Sequence, residues 1–429
     1  MPSSIEVPEI CVLVLIGASG SGKSTFAREH FRPSEILSSD AFRAAVADDE
    51  SDQSVTADAF EALYFIAGKR LRYARLCVID ATNVKPQDRS GYIELAKQHH
   101  VPAVAIVFSP NPEICLARNQ SRPNRQVAEQ VVHSQIASLR QDIENLQLEG
   151  FSEVHHVDPA ISHTVQIVRK PFACNKRNED GPFDIIGDVH GCYDEMANLL
   201  QVLGYREGTL PIKDEVWGAH TWGHPDCRKA VFAGDLADRG PRVIDTIRAV
   251  RNMTVAGNAF AVPGNHDIKF ARWLRGDAVT VAHGLSRSIA DFQARPEALR
   301  ATTAKEVASF FYGLPSHYVF AGGNLVVAHT GLSAHLQGRC SETVREIAIF
   351  GKLRGGEYDR NWAENYHGHA MVVYGHFPVT GATWVNRTIN IDTGCVFGGR
   401  LTALRYPEVE LVSVPAKAVY DEFIPPPQV

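Results

Sequence analysis

The chain has 429 residues, 45% hydrophobic and 21% charged, which is too much for one ordinary core and reads as two or three globular domains with no apolar stretch near the ~20 residues of a membrane span. A net charge of −6 excludes a bulk electrostatic attraction to nucleic acid, so any such binding must come from local arginine clusters. Eight scattered cysteines without a CxxC pair exclude a thiolate zinc site, and a start that lacks a basic region argues against a secretory signal; the expectation is a reduced, cytoplasmic protein.

Residues 11–16 read as a buried strand, followed by a Gly-rich turn and a helix opening at Lys23. Gly17-Ala-Ser19-Gly20-Ser21-Gly22-Lys23-Ser24 fits G-x-x-x-x-G-K-[ST] in the strand-then-helix context that this motif requires. Its backbone, from Gly17 through Ser19, Gly20, Ser21 and Gly22, with Thr25 following, would surround phosphates at a helix N-terminus. Lys23 would neutralise β/γ charge, and the Ser24 hydroxyl would ligate Mg²⁺. The expected cofactor is ATP or another nucleoside triphosphate with Mg²⁺; a chance Gly/Ser turn is the competing reading.

Next comes Ser38-Ser-Asp40-Ala-Phe-Arg43. Asp40 could accept the proton of an attacking hydroxyl, and Arg43, three residues on and on the same helical face, could bind an acceptor phosphate. The plainer reading is a helix cap plus a surface ion pair. Residues 76–79 form a second strand ending at Asp80, in Asp80-Ala-Thr-Asn83, a candidate to support the Mg²⁺ by holding one of its ligands. Residues 102–108 form a third strand, and 111–119 a helix. Arg118, Arg122 and Arg125 then read either as a lid that brings guanidinium groups to a transferring phosphoryl group or as a solvated basic loop. Strands spaced by helical segments imply a parallel sheet covered on both faces.

This first half resembles the kinase domain of the bacterial polynucleotide kinase-phosphatases of RNA repair, over about residues 9–170. The resemblance implies that Lys23 and Ser24 serve the ATP phosphates and metal. It makes Asp40 the general base on a 5′-hydroxyl, sets Arg43 on the nucleic-acid end, and sets Arg118 on the ATP phosphates, with Arg122 and Arg125 beside it.

The polar run 173–182 reads as a linker. After it, 183–186 opens a new strand, and short strand-like segments at 229–234, 259–264, 325–329, 370–376 and 388–392 each end at or lead directly into Asp, Asn or His. The motifs are Gly187-Asp188-Val-His190-Gly191, Gly234-Asp235-Leu-Ala-Asp238-Arg239-Gly240, Gly264-Asn265-His266-Asp267, His329 and Gly375-His376. Asp188, His190 and Asp235 can hold one ion. Asp235 can bridge to a second held by Asn265, His329 and His376. Oxygen and imidazole ligands without thiolates favour Mn²⁺, with Ni²⁺ or Fe²⁺ as alternatives. His266, with Asp267 beside it, is placed to protonate a leaving oxygen, and Arg239 can fork onto phosphate. Arg242, Arg248 and Arg251 either track a phosphate backbone or solvate a helix. Residues 425–429 read as a loose tail.

These motifs resemble the binuclear metallophosphoesterases of the phosphoprotein-phosphatase type, over about residues 183–405. The resemblance implies that Asp392 supports the metal histidines or the phosphate site. It also implies an α/β chain: a P-loop kinase domain with a parallel sheet over 1–172, a linker over 173–182, and a metallophosphoesterase-type αββα sandwich over 183–429. Together the halves resemble a bacterial RNA end-healing enzyme, which phosphorylates 5′-hydroxyl ends and clears 2′,3′-cyclic or terminal 2′/3′ phosphates. Its partners would be nucleic-acid ends, RNA in preference to DNA, with sealing left to a separate ligase because no ligase-like lysine motif follows. Two rivals stand beside it. One is a protein serine/threonine phosphatase or dinucleoside-polyphosphate hydrolase with an appended small-molecule kinase. The other is a non-catalytic nucleotide sensor.

Overall fold

The computed structural model describes residues 4–121, 127–211, 216–352, 356 and 361–422. The chain falls into two compact units, Met1–Phe172 with Arg339–Ser341, and Ala173–Gly338 with Glu342–Val429.

In the first unit five strands pair in the order Ile36–Ser38, Cys77–Asp80, Val12–Ile16, Ala103–Phe108, Glu153–Val157. Every pairing is parallel. Along Val12–Ile16, successive side chains leave opposite faces of the sheet. Val12, Val14 and Ile16 pack with Leu63, Tyr92 and Leu139, while Leu13 and Leu15 pack with Phe26 and Phe108. Both faces are covered, so the strand is apolar throughout rather than alternating. Each such side chain contributes about 1.5–3 kcal/mol by leaving water. The helix Lys23–His30 begins directly after this central strand, because Gly20 and Gly22 take left-handed conformations (φ 84° and 99°) in the turn between them.

The second unit is a pair of facing sheets. One runs Ala259–Ala261, Lys229–Phe232, Phe183–Ile186, Arg400–Tyr406, Glu410–Pro415; the other runs Trp384–Val385, Thr388–Asn390, Met371–Tyr374, Leu325–Ala328, His317–Phe320, Asn175–Lys176. Ile185 and Val231 point between the sheets and meet Tyr318, Phe320, Val327 and Val373. Ile186, Ala230 and Phe232 point outward onto Leu199, Ile247 and Phe270, from the helices Tyr193–Leu203, Val243–Val255 and Asn265–Leu274. On the other outside face, Val344 and Ala348 of the helix Glu342–Phe350 pack on Ala328 and Leu332. The layers are therefore helix, sheet, sheet, helix, as the resemblance implies.

The run 173–182 departs from a free linker. Asn175–Lys176 pairs as an edge strand with Val319 and Phe320, and Ala321 N donates to Glu179 O at 3.0 Å. Polar composition marks an edge strand as readily as a connector, because one side of an edge faces water. Residues 425–429 lie outside the described residues.

Phe183–Ile186, Lys229–Phe232 and Ala259–Ala261 are mutually parallel, as are Leu325–Ala328, Met371–Tyr374 and Thr388–Asn390. The loops after these strands carry every polar motif of the second half.

Candidate functional site

In the first unit, the helix Lys23–His30 has no side-chain cap, so its leading N–H groups are left to a ligand. Lys23 is buried and donates to Gly17 O at 2.7 Å, Ala18 O at 2.9 Å and Ser21 Oγ at 3.3 Å. The Ser19 amide donates to Gln135 Oε1 at 2.8 Å. Ser24 Oγ donates to Asp80 Oδ1 at 3.0 Å. Burial raises the Asp80 carboxyl above its ordinary range against the lowering effect of Lys23, which suits a position where a cation would be welcome. Thr25 is exposed in the first helical turn.

A cleft of about 610 Å³ brings Lys23, Ser24 and Asp80 together with Asp40, Arg43 and Gln135. Arg43, almost wholly buried, pairs with Asp40 and donates through Nε to Glu50 O at 2.9 Å. The pair is thus present, but Asp40 is not the cap: Ser38 holds that position, without a side-chain bond. Arg118 lies over the P-loop, Nη1 3.4 Å from Ser21 O and Nη2 3.0 Å from Pro159 O. Arg122 and Arg125 lie outside the described residues. Gln135 gave no sequence signal; it sits on a helix, Glu129–Asp142, more than a hundred residues from the loop it touches.

In the second unit two groups of ligand atoms share Asp235: His190, Asp235 and His266, and Asp235, His329 and His376, with the atoms of each group within 4.8 Å of one another. His190 Nδ1–H donates to Ala237 O at 2.8 Å and His329 Nδ1–H to Ala233 O at 3.0 Å, so both present a bare Nε2 inward. His329 Nε2 meets Asn265 Oδ1 at 3.1 Å, His376 Nδ1 at 3.2 Å and Asp235 Oδ2 at 3.4 Å. Asn265 Oδ1 and Asp235 Oδ2 can only accept, and a single imidazole proton cannot satisfy every lone pair gathered in this buried space, which suits cations. Asp188 adds to this. Its Oδ2 accepts from His376 N at 3.1 Å, while the buried Oδ1 has no hydrogen-bond partner among the described residues. Burial and the charges of Asp392 and Asp235 raise the Asp188 carboxyl well above the usual range. Burial brings His190 and His376 down to about 3, which keeps them neutral and able to ligate. Burial would raise Asp235, but the facing imidazoles of His329, His266 and His190 bring it well below the usual range. Asp392 is buried, accepts from Gly394 N at 3.1 Å, and is raised to about 6 by burial.

The loops that aim these groups are bent by unusual backbone. His190, Asp235, Asp238, Arg239 and His376 all have positive φ, from 44° to 78°. Non-glycine residues hold such conformations only when the surroundings over-determine them, and they gather at functional sites. A Cβ on Gly234 would come within 2.8 Å of His329 Nδ1, so the turn before Asp235 needs glycine.

One sequence expectation needs correction, and one open alternative is decided. Asp267 does not serve His266: its Oδ1 accepts from Leu236 N and Ala237 N and its Oδ2 from Gly264 N, each at 2.9 Å, so it holds the Asp235 loop. The carboxylate that serves His266 is Asp238, with Oδ2 2.7 Å from Nδ1. Ser288 Oγ donates to Asp238 Oδ1 at 2.5 Å and accepts from Asp238 N at 2.9 Å. Asp238 could have been found from Gly234-Asp235-x-x-Asp238-Arg239-Gly240; Ser288 had no signal. The helical arginines do not form a row open to phosphates. Arg242 pairs with Asp194 and Asp245, Arg248 pairs with Asp245, and Arg251 lies over the Trp217 ring. Arg239 stacks on Phe397 and gives Nη1 to Asp421 at 2.8 Å.

Among the described residues no helix is long and apolar enough to cross a membrane, and all eight cysteines are unbridged. A model of the AAA domain matches residues 12–146. A model of the calcineurin-like phosphoesterases matches residues 181–413. The asymmetrical bis(5′-nucleosyl)-tetraphosphatase PrpE of Bacillus subtilis (strain 168) is 42% identical over 247 residues, which cover 56% of this chain and 97% of that protein. Its counterpart in Anoxybacillus flavithermus (strain DSM 21510 / WK1) is 40% identical over 245 residues, 56% of this chain and 96% of that protein. With an Asp/Asn/His centre at the ends of its facing sheets and a family model spanning more than half its length, the chain belongs to the calcineurin-like phosphoesterases, with a P-loop domain ahead of the phosphoesterase domain.

Proposed function

We propose that the second unit hydrolyses a bis(5′-nucleosyl) polyphosphate, and that the first unit transfers a phosphoryl group from a nucleoside triphosphate to a hydroxyl acceptor. One observation carries the first half: identity of about 40% across nearly the whole length of asymmetrical bis(5′-nucleosyl)-tetraphosphatases. This favours the dinucleoside-polyphosphate rival over nucleic-acid end healing.

Asp188, His190, Asp235, Asn265, His329 and His376 would hold two divalent cations, and the donor set favours Mn²⁺ with Ni²⁺ or Fe²⁺ as alternatives. When bound, such a pair activates water and neutralises phosphate oxygens. The chain's own residues do the rest. Arg239, over the Phe397 ring and paired through Nη1 with Asp421, can offer its remaining guanidinium N–H groups to phosphate. His266, oriented by Asp238, is placed to pass a proton to the leaving phosphate oxygen. Asp267 keeps the Asp235 loop rigid, and the charge of Asp392 helps to raise the Asp188 carboxyl.

In the first unit, Lys23 and Arg118 would serve the donor phosphates, Ser24 and Asp80 its Mg²⁺, and Asp40 the acceptor proton. The shared cleft supports a kinase and leaves the acceptor open. A polynucleotide 5′-hydroxyl is the second reading, favoured by Asp40 and Arg43 standing together at the cleft; RNA ends and a separate ligase would then be its partners.

The test is product analysis. Bis(5′-adenosyl) tetraphosphate should yield ATP and AMP in equal amounts when Mn²⁺ is added. An intact substrate, in a protein that still hydrolyses p-nitrophenyl phosphate, would sink the hydrolase reading. Labelled ATP and a 5′-hydroxyl oligonucleotide test the acceptor: label on the oligonucleotide above an Asp40→Ala control supports end healing. ADP release with a small alcohol acceptor and no labelled oligonucleotide supports a small-molecule kinase.

A further inference from the structure

A tetraphosphate bridge spreads its negative charge over four phosphates, and a two-cation centre holding the one under attack leaves the others to be met by cationic side chains close by. The helix Asn265–Leu274 supplies one. Lys269 follows Asn265 by four residues and His266 by three, which sets it on the same helical face as both. Its Nζ donates to Ala282 O at 2.7 Å, its one hydrogen bond among the described residues, leaving two N–H donors. The next residue, His283, is exposed and held at φ 57°. Gly284 then closes the rim against Arg239: its carbonyl accepts from Arg239 N at 3.2 Å, and a Cβ there would run into Arg239 Cγ. Lys269 and Arg239 thus each hold the 282–284 loop that carries His283, and both, with His266, act electrostatically on His283.

The neighbouring carboxylates are already engaged. Asp238 is bonded to His266 and Ser288, and Asp421 to Arg239. Burial lowers the Lys269 ammonium below its ordinary range, Asp238 opposing and Arg239 adding to the shift; burial, then Lys269, Arg239 and His266 lower His283. An anion in the middle would relieve that crowding.

We infer that Lys269, with His283 beside it, forms a subsite for the phosphates of a polyphosphate substrate beyond the one under attack. This rests on the dinucleoside-polyphosphate reading of the same centre. The subsite sets selectivity for chain length rather than the chemical step.

The experiment compares two substrates on the full chain with Mn²⁺: bis(5′-adenosyl) tetraphosphate and p-nitrophenyl phosphate, a monoester with no further phosphates. Lys269→Met should lower the ratio of kcat/KM for the tetraphosphate to that for the monoester by about tenfold, mainly through KM, with a smaller fall for His283→Asn. Lys269→Arg should restore most of the ratio. A merely structural Lys269, bracing the 282–284 loop, would lower both substrates together and leave the ratio unchanged, and that result overturns the inference alone. If the unaltered protein cleaves the monoester and spares the tetraphosphate, the hydrolase reading falls and this inference with it.

Discussion

His266 Nδ1 lies 2.7 Å from Asp238 Oδ2, and both groups are buried. The adjacent carboxylate, Asp267, is turned the other way onto three backbone N–H groups. Two neighbouring aspartates therefore have different work: one orients an imidazole, the other braces a loop.

Asp238→Asn should separate these roles. It removes the acceptor that sets the His266 tautomer, so phosphoesterase kcat should fall about a hundred- to ten-thousand-fold. Bound metal, measured after dialysis, should stay near that of the unaltered protein. Asp267→Ala should instead lower stability by about 3 kcal/mol or more, because three buried N–H donors lose a charged acceptor. Denaturant unfolding curves check this.

Asn265→Ala tests the second ion. Asn265 Oδ1 meets both His329 Nε2 and His376 Nδ1. The variant should retain one divalent ion per chain more firmly than the other in metal analysis. Equal retention of both would count against Asn265 as a ligand.

Lys23→Ala and Asp235→Ala test whether the two chemistries are separate. Lys23 belongs to the P-loop and Asp235 to the phosphoesterase centre. The first variant should abolish phosphoryl transfer and keep hydrolysis; the second should do the reverse. Loss of both activities from either folded variant would contradict the assignment.

His317 supplies a pH dependence away from any ligand. It is fully buried, its Nε2 accepts from Gly338 N at 2.9 Å, and burial lowers it to about 4. An unfolded histidine titrates near ~6.5, so the unfolded chain binds the proton first. The stability of the neutral form is fully present above that value and is lost as pH falls toward about 4. Between pH 7 and pH 5 the unaltered protein should lose about 2 kcal/mol more than His317→Gln, which cannot titrate. Urea midpoints at the two pH values check it.

The strands and the chemistry at their ends are legible in the sequence alone. Val12–Ile16 is apolar at every position because both its faces are covered, and the loop after it carries the P-loop. The same logic marked Asp188, Asp235, Asn265, His329 and His376, since each follows a short buried strand.

The sequence by itself determined the ligand types, the strand ends that carry them and the presence of two domains, because those are local properties of short segments. Only the tertiary structure decided which carboxylate serves His266, that Gln135 reaches the P-loop, that Arg242 and Arg248 are spent on ion pairs, and that Asn175–Lys176 joins a sheet. Those choices depend on loops bent through left-handed backbone and on neighbours far apart along the chain, and no local pattern encodes which way such a loop will turn.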